Sequence, residues 1–191
     1  MNSFYNEEEL KSIGFKSIGE NVLISRKISV YMPGSISIGN DVRIDDYCCL
    51  VGGEKGITIG SNVHIAFHCI ILGNGGVIID DFAGLSSRCS IYSATDDYSG
   101  NSLTNPTVPK KYKMITEGKV HIGRHVIVGT NTTILPNVKI GEGSSVGANS
   151  LVIKSLESWG VYAGSPVRKI KDRSKNLLEI EKIYINDTKR L

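Results

Sequence analysis

Two adjacent carboxylates, Asp96 and Asp97, occur in the segment "IYSATDDYSG" between Ile91 and Gly100. Up to this segment aliphatic residues recur every six positions, and the repeat resumes only at about residue 122. A carboxylate at such an interruption can orient a cationic group and accept a proton from it, so we predict a catalytic role for Asp96 and a substrate contact for Asp97. The alternative for both is a turn, because aspartate side chains readily bond nearby backbone N–H groups.

A histidine close to Asp96 is a second candidate base, because its ordinary pKa lies near neutrality. His64 directly precedes an aliphatic residue of the repeat, so strand alternation predicts that its side chain points outward. His68 falls near a predicted corner and is expected to contact substrate, whereas His121 and His125 are weaker candidates. The alternative for each is an ordinary surface histidine.

Ser86 and Arg88 belong to the same stretch of the repeat as Asp96. The hydroxyl of Ser86 can hydrogen-bond a sugar or a phosphate, and the forked guanidinium of Arg88 suits a pyrophosphate. A serine in a turn and a solvated arginine are the alternatives. We therefore predict that Ser86 and Arg88, together with Asp97 and His68, bind the substrate.

The elements that must hold these residues follow from the six-residue aliphatic repeat. From Ile122 to Val152 every sixth residue is Ile or Val, and earlier sets of three recur in the same way. This period fits neither an α-helix nor an amphipathic strand, but it is typical of a triangular solenoid in which three hexapeptides complete one coil. We therefore expect an all-β solenoid whose aliphatic side chains stack inside.

The cysteines occupy a fixed place in this repeat. Cys48, Cys69 and Cys89 each lie four positions after an aliphatic residue, where other hexapeptides have valine. Free cysteine behaves as a small hydrophobic residue, so we expect these three side chains in the core. No set of Cys and His residues has the spacing of a zinc site, and we predict no metal.

The repeat also divides the chain into segments. We expect a cap with a short helix at 1–17, the solenoid at 18–170 and a C-terminal helix at 171–191. Within the solenoid, 96–119 is rich in Gly, Asn and Pro and is predicted to leave the wall as a loop. A loop of this length is usually functional or disordered.

Composition narrows the function classes. The chain has 191 residues, 40% of them hydrophobic, and a formal net charge of only +3. This charge does not favour nonspecific nucleic-acid binding, which requires a concentrated basic face. No apolar run reaches membrane-spanning length and no secretion signal is evident, so we expect a cytoplasmic protein without membrane insertion.

The hexapeptide array, the block "VIVGTNTTILPNVKIGEGSSVGANSLV" and the closing "VYAGSPVRKI" resemble the bacterial hexapeptide-repeat acyltransferases. The resemblance implies a left-handed parallel β-helix, a homotrimer and acyl-CoA as the acyl donor. It also implies a CoA groove along the C-terminal coils, with phosphates near the basic residues Arg168 and Lys169. A basic run is equally often a solvated face. The residues expected to shape the groove are Gly129, Gly147, Ala148 and Gly164.

A narrower resemblance rests on the non-repeat segments. The opening "NSFYNEEELKSIGFKSIGENVLISRK" and the stretches "LSSRCSIYSATDDYSG" and "LTNPTVPKKY" are similar to N-acyltransferases that act on dTDP-linked 4-amino-4,6-dideoxyhexoses, as in the viosamine and anthrose pathways. This resemblance implies that the amine of a nucleotide-linked amino sugar is acylated, with acetyl-CoA as the first expectation, for surface-polysaccharide synthesis. The acyl group, the sugar and the nucleotide stay open.

Two other functions compete with this one. Sugar O-acetyltransferases of the galactoside or maltose type usually place a catalytic histidine where this chain has Asp96. An amine needs less help from a base than a hydroxyl does, so the aspartate favours an amine acceptor. His64 keeps the O-acetyltransferase open, and a noncatalytic β-helix scaffold is the third possibility.

Overall fold

The computed structural model describes residues 3–188, and the strands of this range form a left-handed parallel β-helix. A helix stands near each end: α1 spans Glu7–Ile13 and α2 spans Leu177–Thr188. Both fall inside the segments predicted to contain terminal helices, and residues 1–2 and 189–191 lie outside the described range. No helix between residues 3 and 188 is long and apolar enough to cross a membrane.

Three sheets form the sides of a triangular prism, and the chain visits them in turn. Their strands are parallel except for the last strand of the second side, which is antiparallel to its neighbour. The first side consists of β1 (Ser17–Ile18), β4 (Ile36–Ile38), β7 (Ile57–Ile59), β10 (Val77–Ile79), β15 (Val120–Ile122) and β18 (Lys139–Ile140). The second side consists of β2 (Leu23–Ile24), β5 (Arg43–Ile44), β8 (His64–Ile65), β11 (Gly84–Leu85), β16 (Ile127–Val128), β19 (Ser145–Val146), β21 (Gly160–Gly164) and β22 (Val167–Asp172). The third side consists of β3 (Ser29–Tyr31), β6 (Cys49–Val51), β9 (Ile70–Leu72), β12 (Ser90–Tyr92), β17 (Thr133–Ile134) and β20 (Leu151–Val152).

The aliphatic residue of each hexapeptide stacks on its equivalent in the next coil. On the first side Ile38 pairs with Ile59, Ile59 with Ile79, and Ile79 with Ile122. These side chains are buried, with 0–3% of their surface exposed. Such side chains form one continuous core along the prism axis, which confirms the solenoid predicted from the repeat.

The interruption after Ile91 is an antiparallel hairpin that leaves the prism. Its strands are β13 (Ala94–Asp96) and β14 (Ile115–Glu117). Buried Ser93 closes the root, because its carbonyl accepts a hydrogen bond of 2.8 Å from the N–H of Gly118. The chain then resumes the repeat at β15, which pairs directly with β10, so the hairpin does not interrupt the stacking of the core.

Candidate active site

Four-residue corners connect the second side of the prism to the third side and stack into one column. In the fourth coil this corner is Ser86-Ser87-Arg88-Cys89, between β11 and β12. We call the column the ridge, and its corners are residues 45–48, 66–69, 86–89, 129–132 and 147–150. The predicted site residues that the ridge brings together are His68, Ser86, Arg88, Gly129, Gly147 and Ala148.

Ser86 and Gly129 are neighbours on the ridge. The N–H of Ser86 donates to the carbonyl of Val128 at 2.9 Å, which places Ser86 in register with Gly129 one coil on. Adjacent strands lie about 4.8 Å apart, so the predicted acceptor-binding serine directly adjoins the predicted CoA groove. A Cβ on Gly129 would lie 2.5 Å from the backbone nitrogen of Ala148, so only glycine fits this position.

The side chains of this part of the ridge are open to a ligand. Ser86 is half-buried, and within residues 3–188 its hydroxyl makes no hydrogen bond. Arg88 is exposed, with a backbone φ of 63°, and has no ion pair with any described residue. His68 has the equivalent left-handed conformation, with φ of 61°, and its ring stacks on Tyr47 at a centroid distance of 5.0 Å. A serine hydroxyl and a guanidinium are therefore available to a polar substrate.

The ridge also presents a row of unpaired backbone donors. They belong to the second residue of each corner, and none of them donates a hydrogen bond within the described range of the chain. Backbone N–H groups in such a row can bind the amide carbonyls of a ligand or a developing oxyanion. The residues are Asp46, Phe67, Ser87, Thr130 and Ala148.

Asp96 lies at the root of the hairpin, at the corner between the third and first sides. It pairs with Ile115 in the hairpin ladder, and its Oδ2 accepts one long hydrogen bond of 3.4 Å from the N–H of Asn105. The side chain is half-buried and has no ion pair with a described residue. Its carboxylate therefore retains the capacity to accept further hydrogen bonds from a substrate.

Asp97 is bound by its own loop. One carboxylate oxygen accepts from the N–H and the hydroxyl of Ser99 at 2.8 and 2.6 Å, and the other accepts from the N–H of Ser102 at 2.9 Å. These bonds lower the pKa of Asp97 to about 2, and those from Ser99 have the largest effect. Both oxygens fasten the loop, and the predicted contact of Asp97 with substrate stays a prediction.

Three predicted cofactor residues lie where the last strands turn back. Gly164 ends β21 with φ of 108°, and its N–H donates to the Ser150 hydroxyl of the ridge at 3.2 Å. On β22 Lys169 pairs with Asp172 at 2.7 Å, and this contact raises the pKa of Lys169. Arg168 is exposed and has no ion pair with a described residue, so it is the better candidate for a phosphate.

Comparison with known proteins identifies the family. Residues 119–154 match the family described as bacterial transferase hexapeptide (six repeats). The chain is 48% identical over 182 residues to the dTDP-4-amino-4,6-dideoxy-D-glucose acyltransferase of Escherichia coli, with 95% of each chain covered. The chain belongs to the hexapeptide acyltransferase family. This finding confirms the resemblance drawn from the repeat and from the hairpin segments.

Solved structures of two other proteins have the same fold as this chain. AntD, an N-acyltransferase from Bacillus cereus solved in complex with dTDP and 3-hydroxybutyryl-CoA, is 52% identical, with a TM-score of 0.95 over 99% of this chain and 100% of AntD. A maltose O-acetyltransferase from Clostridium difficile 630 is 22% identical, with a TM-score of 0.59 over 88% of this chain and 75% of that one, and shares the fold.

His64 and Asp96 lie on different sides of the prism. Its Nε2 is 2.8 Å from Oδ2 of Asp45, a carboxylate that is only 3% exposed. His64 points outward from the second side, whereas Asp96 leaves the prism at the far end of the third side. The two residues belong to neighbouring coils but are not brought together. The role of His64 as a base stays a prediction.

Helix α2 packs over the second side and forms one wall of an open pocket of about 610 Å³ that His64 also lines. Glu181 of α2 bonds Nε2 of His125 at 2.9 Å and also pairs with Arg124. Burial opposes ionisation of Glu181, but these two partners outweigh it and lower its pKa. Periodicity gave no sign of this network, because its members are 56 and 57 positions apart in the chain.

The structure offers no metal site among the described residues. No group of three or more His, Cys, Asp or Glu side chains in residues 3–188 is arranged to hold a metal ion. His121, which is also half-buried, is paired with Asp80 at 2.7 Å on the first side. The polar groups of the ridge and of the hairpin root therefore constitute the candidate active site.

Proposed function

We propose that this protein transfers an acyl group from acyl-CoA to the amine of a dTDP-linked 4-amino-4,6-dideoxy sugar. The observation that carries the proposal is a similarity that runs almost end to end, hairpin included. The E. coli relative is a dTDP-4-amino-4,6-dideoxy-D-glucose acyltransferase, and AntD is known in complex with dTDP-4-amino-4,6-dideoxyglucose and CoA. An amine acceptor also agrees with an aspartate at the hairpin root.

A spacing in AntD supports Ser86 and Asp96 as the central pair. Variants of AntD carrying substitutions at one serine and at one aspartate, which are ten positions apart, have been crystallised with dTDP compounds and CoA. In this chain Ser86 and Asp96 are ten positions apart, and so are Ser87 and Asp97. Both carboxylate oxygens of Asp97 are bonded within its own loop, whereas Asp96 accepts one long hydrogen bond, which favours the first pair. We therefore assign Ser86 to acceptor binding and Asp96 to the acceptor amine.

The reaction forms one C–N bond and breaks one C–S bond. Asp96 holds the sugar ammonium and takes up its proton, directly or through water, so that the nitrogen lone pair can attack the thioester carbonyl. A backbone N–H of the ridge, such as that of Ser87 or Thr130, stabilises the oxyanion that forms. The intermediate loses a second proton from nitrogen and expels the CoA thiolate, which then takes up a proton. A thiol of ordinary pKa near 8.5 leaves without strong acid assistance.

The remaining side chains of the site position the two substrates. Arg88 is suited to the sugar pyrophosphate because its guanidinium can donate two parallel hydrogen bonds. His68 lies one coil below Arg88 at the same corner position and can contact the same nucleotide. The pantetheine arm runs along Gly129, Gly147 and Ala148, and Arg168 meets the phosphates of CoA.

The site needs more than one subunit. Asp96 and the ridge are separated by the width of the third side, roughly 15–20 Å for five or six extended residues. Most outward positions of that side are apolar, with Ser29, Ser90 and Thr133 as exceptions, and a largely apolar surface of this kind indicates an interface. We therefore propose a homotrimer in which the ridge of one subunit faces the hairpin root of its neighbour. The apolar residues are Val51, Ile70, Leu72, Tyr92, Leu135, Leu151 and Ile153.

This activity indicates the place of the enzyme in the cell. Acyl-CoA and nucleotide-linked sugars are cytoplasmic metabolites, so we place the enzyme in the cytoplasm. Acylated deoxyamino sugars serve as precursors of surface polysaccharide. A hydroxyl acceptor has less support, because the maltose O-acetyltransferase shares only 22% identity with this chain, whereas the E. coli relative shares 48% and AntD 52%.

A thiol-release assay tests the proposed function. Acetyl-CoA and 3-hydroxybutyryl-CoA are offered with a panel of dTDP- and UDP-linked 4-amino sugars and with free galactosides. We expect CoA release with dTDP-linked amino sugars, and mass spectrometry of the product should show the acyl group on nitrogen. Turnover of free galactosides alone would establish the O-acetyltransferase instead. Binding of CoA without turnover of any acceptor would favour a noncatalytic scaffold.

A further inference from the structure

Small donor side chains form a column inside the prism, directly behind the ridge. They occupy the last position of successive ridge corners, where they are at most 4% exposed. We call this column the inner ladder. Its members are Cys48, Cys69, Cys89, Thr132 and Ser150.

Each of the first four members bonds the backbone of the next coil. The acceptor in every case is the carbonyl oxygen of the first residue of the next ridge corner. The bonds run from Cys48 to Ala66 (3.1 Å), from Cys69 to Ser86 (3.2 Å), from Cys89 to Gly129 (3.4 Å) and from Thr132 to Gly147 (3.1 Å). The inner ladder therefore turns these four carbonyls toward the core.

The direction of a carbonyl determines the direction of the N–H in the same peptide unit. A trans peptide is planar, and its C=O and N–H bonds point in opposite directions. When the carbonyl of Gly129 points inward to Cys89, the N–H of Thr130 must point outward. The carbonyl of Ser86 and the N–H of Ser87 are related in the same way. The peptide units whose carbonyls bond the inner ladder are thus the same units whose N–H groups face outward on the ridge.

We propose that Cys69, Cys89 and Thr132 are positioning residues, which aim the ridge N–H groups at the acceptor and at acyl-CoA. This inference rests on the proposed function. Cys69 acts through the peptide between Ser86 and Ser87, beside the acceptor amine. Cys89 and Thr132 act through peptides along the pantetheine arm. None of the three side chains contacts substrate, because all three are fully buried.

Cys48 provides a matched control. It makes the same bond one coil lower, to Ala66, a residue that we assign to no substrate. The variants Cys48→Ala, Cys69→Ala and Cys89→Ala each remove a buried thiol from an equivalent place in the core, so their Tm values should fall by similar amounts. Any difference in kinetics between them then reports on the peptide that each thiol orients.

The expected kinetics separate the three variants. Loss of one hydrogen bond corresponds to about a fivefold effect. Cys89→Ala should raise KM for acyl-CoA about fivefold with kcat retained, and Cys69→Ala should lower kcat about fivefold, whereas Cys48→Ala should change neither by more than about twofold. Cys89→Ser and Cys69→Ser keep a donor at each place and should restore the wild-type values.

Two results would overturn the proposal: equal kinetic effects of all three alanine variants, or serine variants as impaired as the alanine variants. Calorimetric titration with CoA keeps this test separate from that of the proposed function. If the wild-type protein binds CoA but acylates no amino sugar, the proposed function is wrong, and a weaker Kd of Cys89→Ala relative to Cys48→Ala still supports the inner ladder. If the wild-type protein binds no CoA, the inference falls as well.

Discussion

The backbone N–H of Gly129 donates to the carbonyl of Val146 at 2.7 Å, and Ser86 stacks on Gly129 from the other side. The residue proposed to bind the acceptor and a residue proposed to bind the cofactor therefore occupy consecutive coils of one column. Because consecutive coils are about 4.8 Å apart, a thioester bound along Gly129 lies close to a sugar bound at Ser86. The stacking of the repeat thus supplies the proximity that acyl transfer needs.

The first prediction concerns the carboxylate at the hairpin root. Asp96→Asn removes the proton acceptor, so kcat at pH 7 should fall roughly 100-fold. The loss should shrink as pH rises, because solvent then deprotonates the amine without help from the enzyme. Steady-state kinetics between pH 6 and 9 measure this effect. Asp41→Asn, at an exposed corner of the second coil, is the control. Unchanged activity and an unchanged pH profile of Asp96→Asn would exclude the proposed role.

The second prediction concerns Asp97, whose pKa is lowered to about 2 by hydrogen bonds, first those from Ser99. A lowered pKa stabilises the folded loop above the ordinary carboxyl pKa of about 3.9, and the stabilisation is lost as pH falls toward 2. Asp97→Asn should therefore speed hydrogen exchange at the N–H groups of Ser99 and Ser102 at pH 6. The difference from wild type should narrow below about pH 4. Equal exchange at pH 6 would contradict this account of the loop.

The third prediction concerns the open hydroxyl of the ridge. Ser86→Ala should weaken acceptor binding, with a KM for the dTDP-linked sugar about tenfold higher, because a hydrogen bond to a charged or polar ligand is lost. The KM for acyl-CoA should stay near the wild-type value. Ser37→Ala, on the first side, is the control. An increase confined to the KM for acyl-CoA would move Ser86 from the acceptor to the donor site.

The aliphatic repeat is sufficient to predict the prism and the ridge. A period of six determines which residues face inward, and Ile44, Ile65 and Leu85 are 0–1% exposed as expected. The position of a residue within its hexapeptide also determines its corner, so Ser86 and Gly129 fall together without any structural information. The repeat therefore predicts the position of a residue in the prism, whereas the roles of Ser86 and Gly129 stay predictions.

Features that depend on pairing between distant segments could not be predicted in this way. The hairpin of β13 and β14 and the docking of α2 have no periodic signal, because each is held by contacts that occur once. The sequence argument placed His64 near Asp96 because the two residues belong to neighbouring coils. It did not compare the sides of the prism on which they lie, so it could not show that they are apart. The bonds of the inner ladder are a further case, since a buried cysteine reads from sequence as a small hydrophobic residue.

The last prediction concerns the docking of α2. Glu181 is 12% exposed and bonds both Arg124 and His125, so Glu181→Gln leaves the guanidinium of Arg124 with Asp81 as its one remaining carboxylate partner among the described residues. This substitution should destabilise the protein by about 2 kcal/mol, because a partly buried arginine loses its charge-assisted hydrogen bond to α2. The pKa of Glu181 is lowered in the folded state. The loss of stability caused by Glu181→Gln should therefore be greatest above the ordinary glutamate pKa and diminish in acid. The control Glu179→Gln breaks an exposed pair with Lys182 and should cost less than about 0.5 kcal/mol. Thermal unfolding at pH 7 and at pH 4 compares the two variants, and equal losses of Tm would show that the contact of α2 with Arg124 and His125 does not hold the helix in place.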